Sequence, residues 1–222
     1  MTPTRPSGVA GRLAAPRSSD RLQAALAAGT RPDPQYVDAL VERCAVEPDF
    51  FVRDMLTWAL VRHPVELTVP RLVRELDRDI AQARSQALHT LSKIADRAAW
   101  PAVTPELMQD PDDEVARSAW RAAVVLVPEG GEAGLARELS SQLGRGGRDL
   151  RLSLSRALAA LGDAARSPVA EAAARGGADV RAHALVTQRL LDDPDANVDA
   201  ALHEARRIVA LSGAPGGVDA DR

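Results

Sequence analysis

A five-residue pattern, met five times at nearly constant spacing, limits what this chain can fold into. The segments are Val52-Arg53-Asp54-Met55-Leu56, Ala83-Arg84-Ser85-Gln86-Ala87, Val115-Ala116-Arg117-Ser118-Ala119, Leu150-Arg151-Leu152-Ser153-Leu154 and Val180-Arg181-Ala182-His183-Ala184. Their leading apolar residues stand 31, 32, 35 and 30 positions apart. Each has an apolar partner four positions on, which puts both on one face of an α-helix. Four of the five carry Arg directly after the leading residue; the third has Ala116 there and Arg117 next. Self-similarity at such a period marks a repeat array, in which one helix pair cannot bury its apolar stripe alone.

Punctuation between the segments agrees. Asp20 or Ser19 can cap a first helix over Asp20–Ala28, stopped by Gly29. Pro34 starts a helix through Val46, and Pro48-Asp49 breaks it and caps the next, which runs to about His63 before Pro64. Alternating strand patterns are absent. Of the 222 residues, 45% are hydrophobic and only 3% aromatic, so Ala and Leu, both strong helix formers, carry the apolar content. Residues 1–19 and the stretch from Gly213 are rich in Pro, Gly and small residues and read as tails.

An aspartate cap, two residues, Val-Arg and then an Ala-Leu stretch resembles the second helix of a HEAT repeat. Pro48-Asp49-Phe50-Phe51-Val52 and Pro111-Asp112-Asp113-Glu114-Val115 both fit. Pro194-Asp195-Ala196-Asn197-Val198 fits again and opens a last helix over 195–211. The second and fourth units lack the Pro-Asp cap. The resemblance covers roughly residues 34–211. It implies an all-α fold, an α-α superhelix (solenoid) of about five HEAT-like helix pairs with capping helices at both ends. The expected organisation is an N-terminal tail at 1–19, a repeat domain at 20–212 and a C-terminal tail at 213–222. In HEAT-like arrays the second helices line the concave face, which is where the resemblance places a partner.

Charge is segregated along this register. The chain is −3 overall, yet the second-helix windows 51–63, 82–95, 114–126, 148–161 and 179–191 carry +1, +2, +1, +2 and +1. Arg53, Arg84, Arg151 and Arg181 recur with the repeat. They read as a structural ladder pairing with acids such as Asp49, Asp79, Asp112 and Asp149. Arg62, Lys93, Arg121, Arg156 and Arg189 fall outside the repeat signature and are the candidates for a groove that attracts an acidic partner; ordinary solvated charge is the competing reading. Trp58 and Trp120, on the second helices of units one and three, join them as candidate partner-binding residues, against a reading as core. Trp100, before Pro101, is expected to staple unit two to unit three.

Enzyme motifs are missing: no phosphate-cradling loop, no nucleophile elbow, no HExxH and no CxxC. Gly144-Arg145-Gly146-Gly147 reads as an inter-helix turn. His63, His89, His183 and His203 are scattered, so no metal site and no cofactor are expected. Cys44 shares an apolar stripe with Val37, Leu40 and Val41 and reads as a buried small hydrophobe. A lone cysteine suits the cytoplasm, and no apolar run is long enough to span a membrane. The leading expectation is a scaffold or adaptor for a protein partner. The alternatives are a nucleic-acid binder resembling the DNA-alkylation-repeat glycosylases, with Asp54 near Trp58 a loose echo of their site, and a HEAT-like lyase or chaperone for a protein-bound chromophore.

Overall fold

The computed structural model describes residues 8–212, and every regular element among them is helical. The chain divides into two compact units, the first ending at Glu129 and the second beginning at Gly130. The repeat period alone groups 20–212 as one domain. The division falls at Pro128-Glu129-Gly130-Gly131, a turn in which Gly130 takes a φ of +84°.

The first unit contains α1 (Val9–Leu13), α2 (Ser18–Thr30), α3 (Val37–Val46), α4 (Phe50–Val61), α5 (Val65–Glu75), α6 (Ala81–Ile94), α7 (Pro105–Met108) and α8 (Asp113–Leu126). The second contains α9 (Glu132–Ser140), α10 (Arg148–Ala160), α11 (Asp163–Arg175), α12 (Ala178–Asp192) and α13 (Val198–Ser212). Within the first unit the second helices α4, α6 and α8 pack side by side in chain order, and α3 packs on α5. Within the second, α10, α12 and α13 follow one another and α9 packs on α11. This is the stacking of helix pairs that the register requires. Val52, Ala83, Val115, Leu150 and Val180 are each the third residue of their helix, and the first four are buried.

The ends differ from expectation. Within the stretch 1–19, α1 packs against α2 and α3, with Val9 and Leu13 buried. Arg21 anchors the intervening turn, donating from Nη1 to the carbonyls of Ala15 and Pro16 at 3.0 Å each. Helix α2 starts at Ser18 and passes through Gly29 to Thr30. Residues 1–7 and 213–222, the outer parts of the two expected tails, lie outside the described residues. The last helix starts at Val198 rather than 195, and Asn197 Oδ1 accepts from the Ala200 N–H at 3.1 Å as its cap. In unit three the first helix is broken: a 3₁₀ segment, Arg97–Ala102, holds Trp100 and Pro101 ahead of the four-residue α7.

Candidate functional site

Arg53, Arg84 and Arg151 of the repeat arginines are turned back onto their own helix starts. Arg53 Nη1 donates to the carbonyls of Glu47 and Pro48 at 2.9 and 2.8 Å. Arg84 Nη1 donates to Arg78 O at 2.7 Å. Arg151 donates to Gly146 O and Gly144 O at 2.9 and 2.6 Å. The acids that Arg84 and Arg151 meet are not among Asp49, Asp79, Asp112 and Asp149. Arg84 pairs with Asp110 at 3.0 Å and Arg151 with Asp179 at 3.3 Å. Asp49 and Asp112 instead cap α4 and α8, accepting from Val52 N–H and from Glu114 and Val115 N–H.

Glu47 is the charged centre of the first unit. It is fully buried and accepts from Arg21 Nε and Nη2 and from Arg43 Nε, each at 2.7 Å, and from Asp49 N–H at 3.0 Å. Burial pushes its carboxyl pKa up, but the hydrogen bonds from Arg21 and Arg43 outweigh that and hold it at about 2. A buried charge paired this completely is a structural node.

Three second helices of the first unit line one groove of about 360 Å³. Phe50, Arg53, Asp54 and Thr57 come from α4, Ser85, Gln86 and His89 from α6, and Glu114, Arg117, Ser118 and Arg121 from α8. Its charge is mixed: Arg53, Arg117 and Arg121 face Asp54 and Glu114, and Arg117 is ion-paired with Glu114. Burial and the neighbouring Lys93 and Arg121 lower the pKa of His89, with Asp54 acting the other way, so the imidazole is neutral near pH 7. At the groove mouth the helix start is aromatic and uncovered. Phe50 is 65% and Phe51 73% exposed, the rings meet edge-on at 5.7 Å, and the Arg53 guanidinium lies 6.0 Å from the Phe50 centroid.

Trp58 is 37% exposed and lies over Gly29 of α2, where a Cβ would come within 2.7 Å of the indole Cε3. Arg62 stacks on that indole at 5.0 Å and donates from Nε to Gly29 O at 2.8 Å, so it locks α4 to α2. Trp120 corrects the reading of it as a partner-binding residue. It is fully buried in the core, and its indole N–H donates to Met108 O at 2.8 Å. Lys93, Arg121, Arg156 and Arg189 are exposed. Only Arg121 lines the α4–α6–α8 groove; Arg156 and Arg189 belong to the second unit, Arg189 standing 3.9 Å from Asp193.

In the second unit a Ser–His pair, Ser155 Oγ and His183 Nε2 at 3.0 Å, has the geometry of a nucleophile and its base. The hydrogen-bond directions exclude that role. Gly144 N–H donates to His183 Nδ1 at 3.0 Å, so Nδ1 is the unprotonated nitrogen. Nε2 therefore carries the proton and donates to Arg151 O at 2.8 Å. Thr187 donates to His183 O at 2.9 Å, so Ser155 must donate to Thr187 Oγ1 at 2.8 Å. The imidazole has no lone pair for the serine proton, whereas a general base needs one. Burial, reinforced by the charge of Arg151, lowers the His183 pKa to about 4 despite the bond to Arg151 O. Cys44 is buried, and burial pushes its thiol up to about 12. Among the described residues no group of His, Cys, Asp and Glu could hold a metal ion, and no helix is long and apolar enough to cross a membrane.

No family model matches the chain, and no curated protein matches it. Among solved structures it is similar to the complex of CpcE and CpcF of phycocyanin lyase from Nostoc, with 17% sequence identity, a TM-score of 0.39, and coverage of 94% of this chain and 96% of that one.

Proposed function

We propose that this chain is a protein-interaction module of HEAT-like helix pairs, and that its first unit receives a segment of a partner protein along α4, α6 and α8. The observation that carries the reading is the uncovered pair Phe50–Phe51 at the start of α4, of which Phe50 lines the groove. Exposed aromatics on a rigid helix start are costly to leave in water and are the residues that dominate binding energy at interfaces. Burying both rings offers on the order of 5 kcal/mol gross, before the costs of association. Arg121 on the same groove favours a partner segment that combines apolar and acidic side chains. The mixed charge of the groove weighs against phosphate-driven binding, which needs unopposed cations.

Selection of a displayed peptide library on the full chain tests this. Binders should carry apolar and acidic residues, and the Phe50→Ser/Phe51→Ser double variant should weaken them at least about tenfold while keeping the helical circular dichroism spectrum. Binders indifferent to that change would refute the site. Tight binding of duplex DNA with a steep salt dependence would refute the protein-partner reading itself.

A further inference from the structure

We infer that the α4–α6–α8 groove takes up a proton as its partner docks: His89 becomes charged when an acidic side chain of the partner segment settles between Arg121 and Lys93. This rests on the partner-segment reading above and adds a dependence on pH to it.

The repeat register sets the geometry. Trp58, His89 and Arg121 each stand six positions after their unit starts, Val52, Ala83 and Val115, on helices that pack side by side. The imidazole is half-buried in the groove, with α4 on one side and α8 on the other. Lys93 follows His89 by four positions on α6, which puts both on one face. Helix α4 presents Arg53 and Asp54 to the groove, and α8 presents Glu114, Arg117 and Arg121. Helices α3 and α5 also pack on α6, but the charges that act on the imidazole are Lys93, Arg121 and Asp54.

The fold leaves these groups uncommitted. Arg53 is held by the carbonyls of Glu47 and Pro48, and Arg117 by Glu114. Among the described residues Asp54, Lys93 and Arg121 have no ion pair, and neither ring nitrogen of His89 has a hydrogen-bond partner. His63 and His183, by contrast, are bonded to the backbone. Two free cations against one free acid leave a surplus positive charge beside His89, which one partner carboxylate matches.

The sign follows from the same groups. In the empty groove burial, Lys93 and Arg121 hold the imidazole neutral near pH 7, with Asp54 acting the other way. A carboxylate seated between the cations cancels their push and accepts a charge-assisted bond from the ring, which outweighs the added burial. The complex therefore binds the proton at a higher pH than the free chain. Above that pH neither carries it. As pH falls, the complex takes the proton first and affinity rises, levelling off once the free chain is protonated too.

The capped hexapeptide Gly-Leu-Glu-Glu-Leu-Gly tests this on the full chain by amide and imidazole chemical shifts, with Gln in place of both Glu as its comparison. The Glu peptide should move the amides of Gln86, His89 and Ser118, raise the His89 pKa, and bind at least about threefold more tightly at pH 6 than at pH 8. The Gln peptide should leave the His89 pKa where it is. His89→Gln should abolish the pH dependence. Arg121→Gln should raise the His89 pKa of the empty groove and weaken the Glu peptide, and both variants should keep the helical spectrum. Groove binding of equal affinity at both pH values, or with the His89 pKa unmoved, would overturn the proton uptake and leave the partner-segment reading standing. Groove amides that respond to neither peptide at either pH would overturn the acidic anchor, and the Phe50→Ser/Phe51→Ser comparison on selected binders then decides the partner-segment reading by itself.

Discussion

The His183 node makes the second unit acid-sensitive in a window that can be stated in advance. In the fold the imidazole is neutral, accepting from Gly144 N–H and donating to Arg151 O. A second proton on Nδ1 would face the Gly144 N–H and break that bond. The folded pKa is about 4, against 6.5 when the side chain is free. Above pH 6.5 neither state is protonated and the stability is fully present. Between 6.5 and 4 only the unfolded chain takes up the proton, so stability falls with falling pH, and below 4 this contribution is flat. At about 1.4 kcal/mol per pH unit the loss is about 3 kcal/mol, a large share of a small unit's stability. Urea unfolding at a series of pH values, with His183→Asn beside the wild type, measures it. The variant leaves Arg151 O without its donor and should be less stable by about 1–3 kcal/mol at pH 7, but it has no imidazole to titrate, so the gap closes as pH approaches 4. Trp58, Trp100 and Trp120 all lie in the first unit, so far-ultraviolet circular dichroism is the appropriate probe. Parallel loss of stability in wild type and variant between pH 7 and 4.5 would refute the assignment.

Glu47→Ala should cost about 3–5 kcal/mol, because Arg21 and Arg43 lose the carboxylate they share; tryptophan fluorescence during denaturation reads it. The wild-type carboxylate contributes stability above pH 4.5 that is lost as pH falls toward 2, and the variant should lack that acid limb. Gly29→Ala should cost about 1–3 kcal/mol by overpacking, since its Cβ would sit 2.7 Å from Trp58 Cε3 and 2.8 Å from Ala59 Cα, and Trp58 emission should shift with it. Cys44 should resist a thiol reagent at pH 8 in the folded chain and react on denaturation; stoichiometric labelling of the native protein would contradict its burial.

The helix register was legible because it depends only on which face of each second helix is apolar. The different surroundings of Trp58 and Trp120 were legible too, with one further step. Trp120 lies five positions after its unit start, Val115, and Trp58 lies six after Val52. One residue turns a helix by about 100°. In the first four repeats the residues five positions on, Thr57, Leu88, Trp120 and Ser155, are buried, and those six positions on, Trp58, His89, Arg121 and Arg156, are exposed or half-buried; the fifth repeat departs, with Leu185 half-buried and Val186 buried. The acids that meet Arg84 and Arg151 were not legible, because they lie 26 or 28 positions away, Asp110 in the turn before α8 and Asp179 in the first turn of α12, a separation no local pattern fixes. Phe50 and Phe51 passed as turn residues of the Pro-Asp cap, since nothing in their spacing says that no helix covers them.

The repeat arginines also show how each helix pair is tied to the next. Arg53, Arg84 and Arg151 each clamp carbonyls of the turn before their own helix, a local duty that lets the same residue recur at the same register. The tie between pairs is supplied by a second residue that differs each time. Gln82 of α6 donates to Cys44 O and Glu47 O at 2.9 and 2.8 Å. Asp110 reaches Arg84 from the turn before α8, and His183 of α12 accepts from Gly144 N–H. The clamp is therefore generic and the tie is specific. The clamping guanidiniums are engaged by the fold and offer little to a ligand. Recognition then falls to cations outside the register, such as Arg121 in the first unit, which shares its groove with the uncovered ring of Phe50.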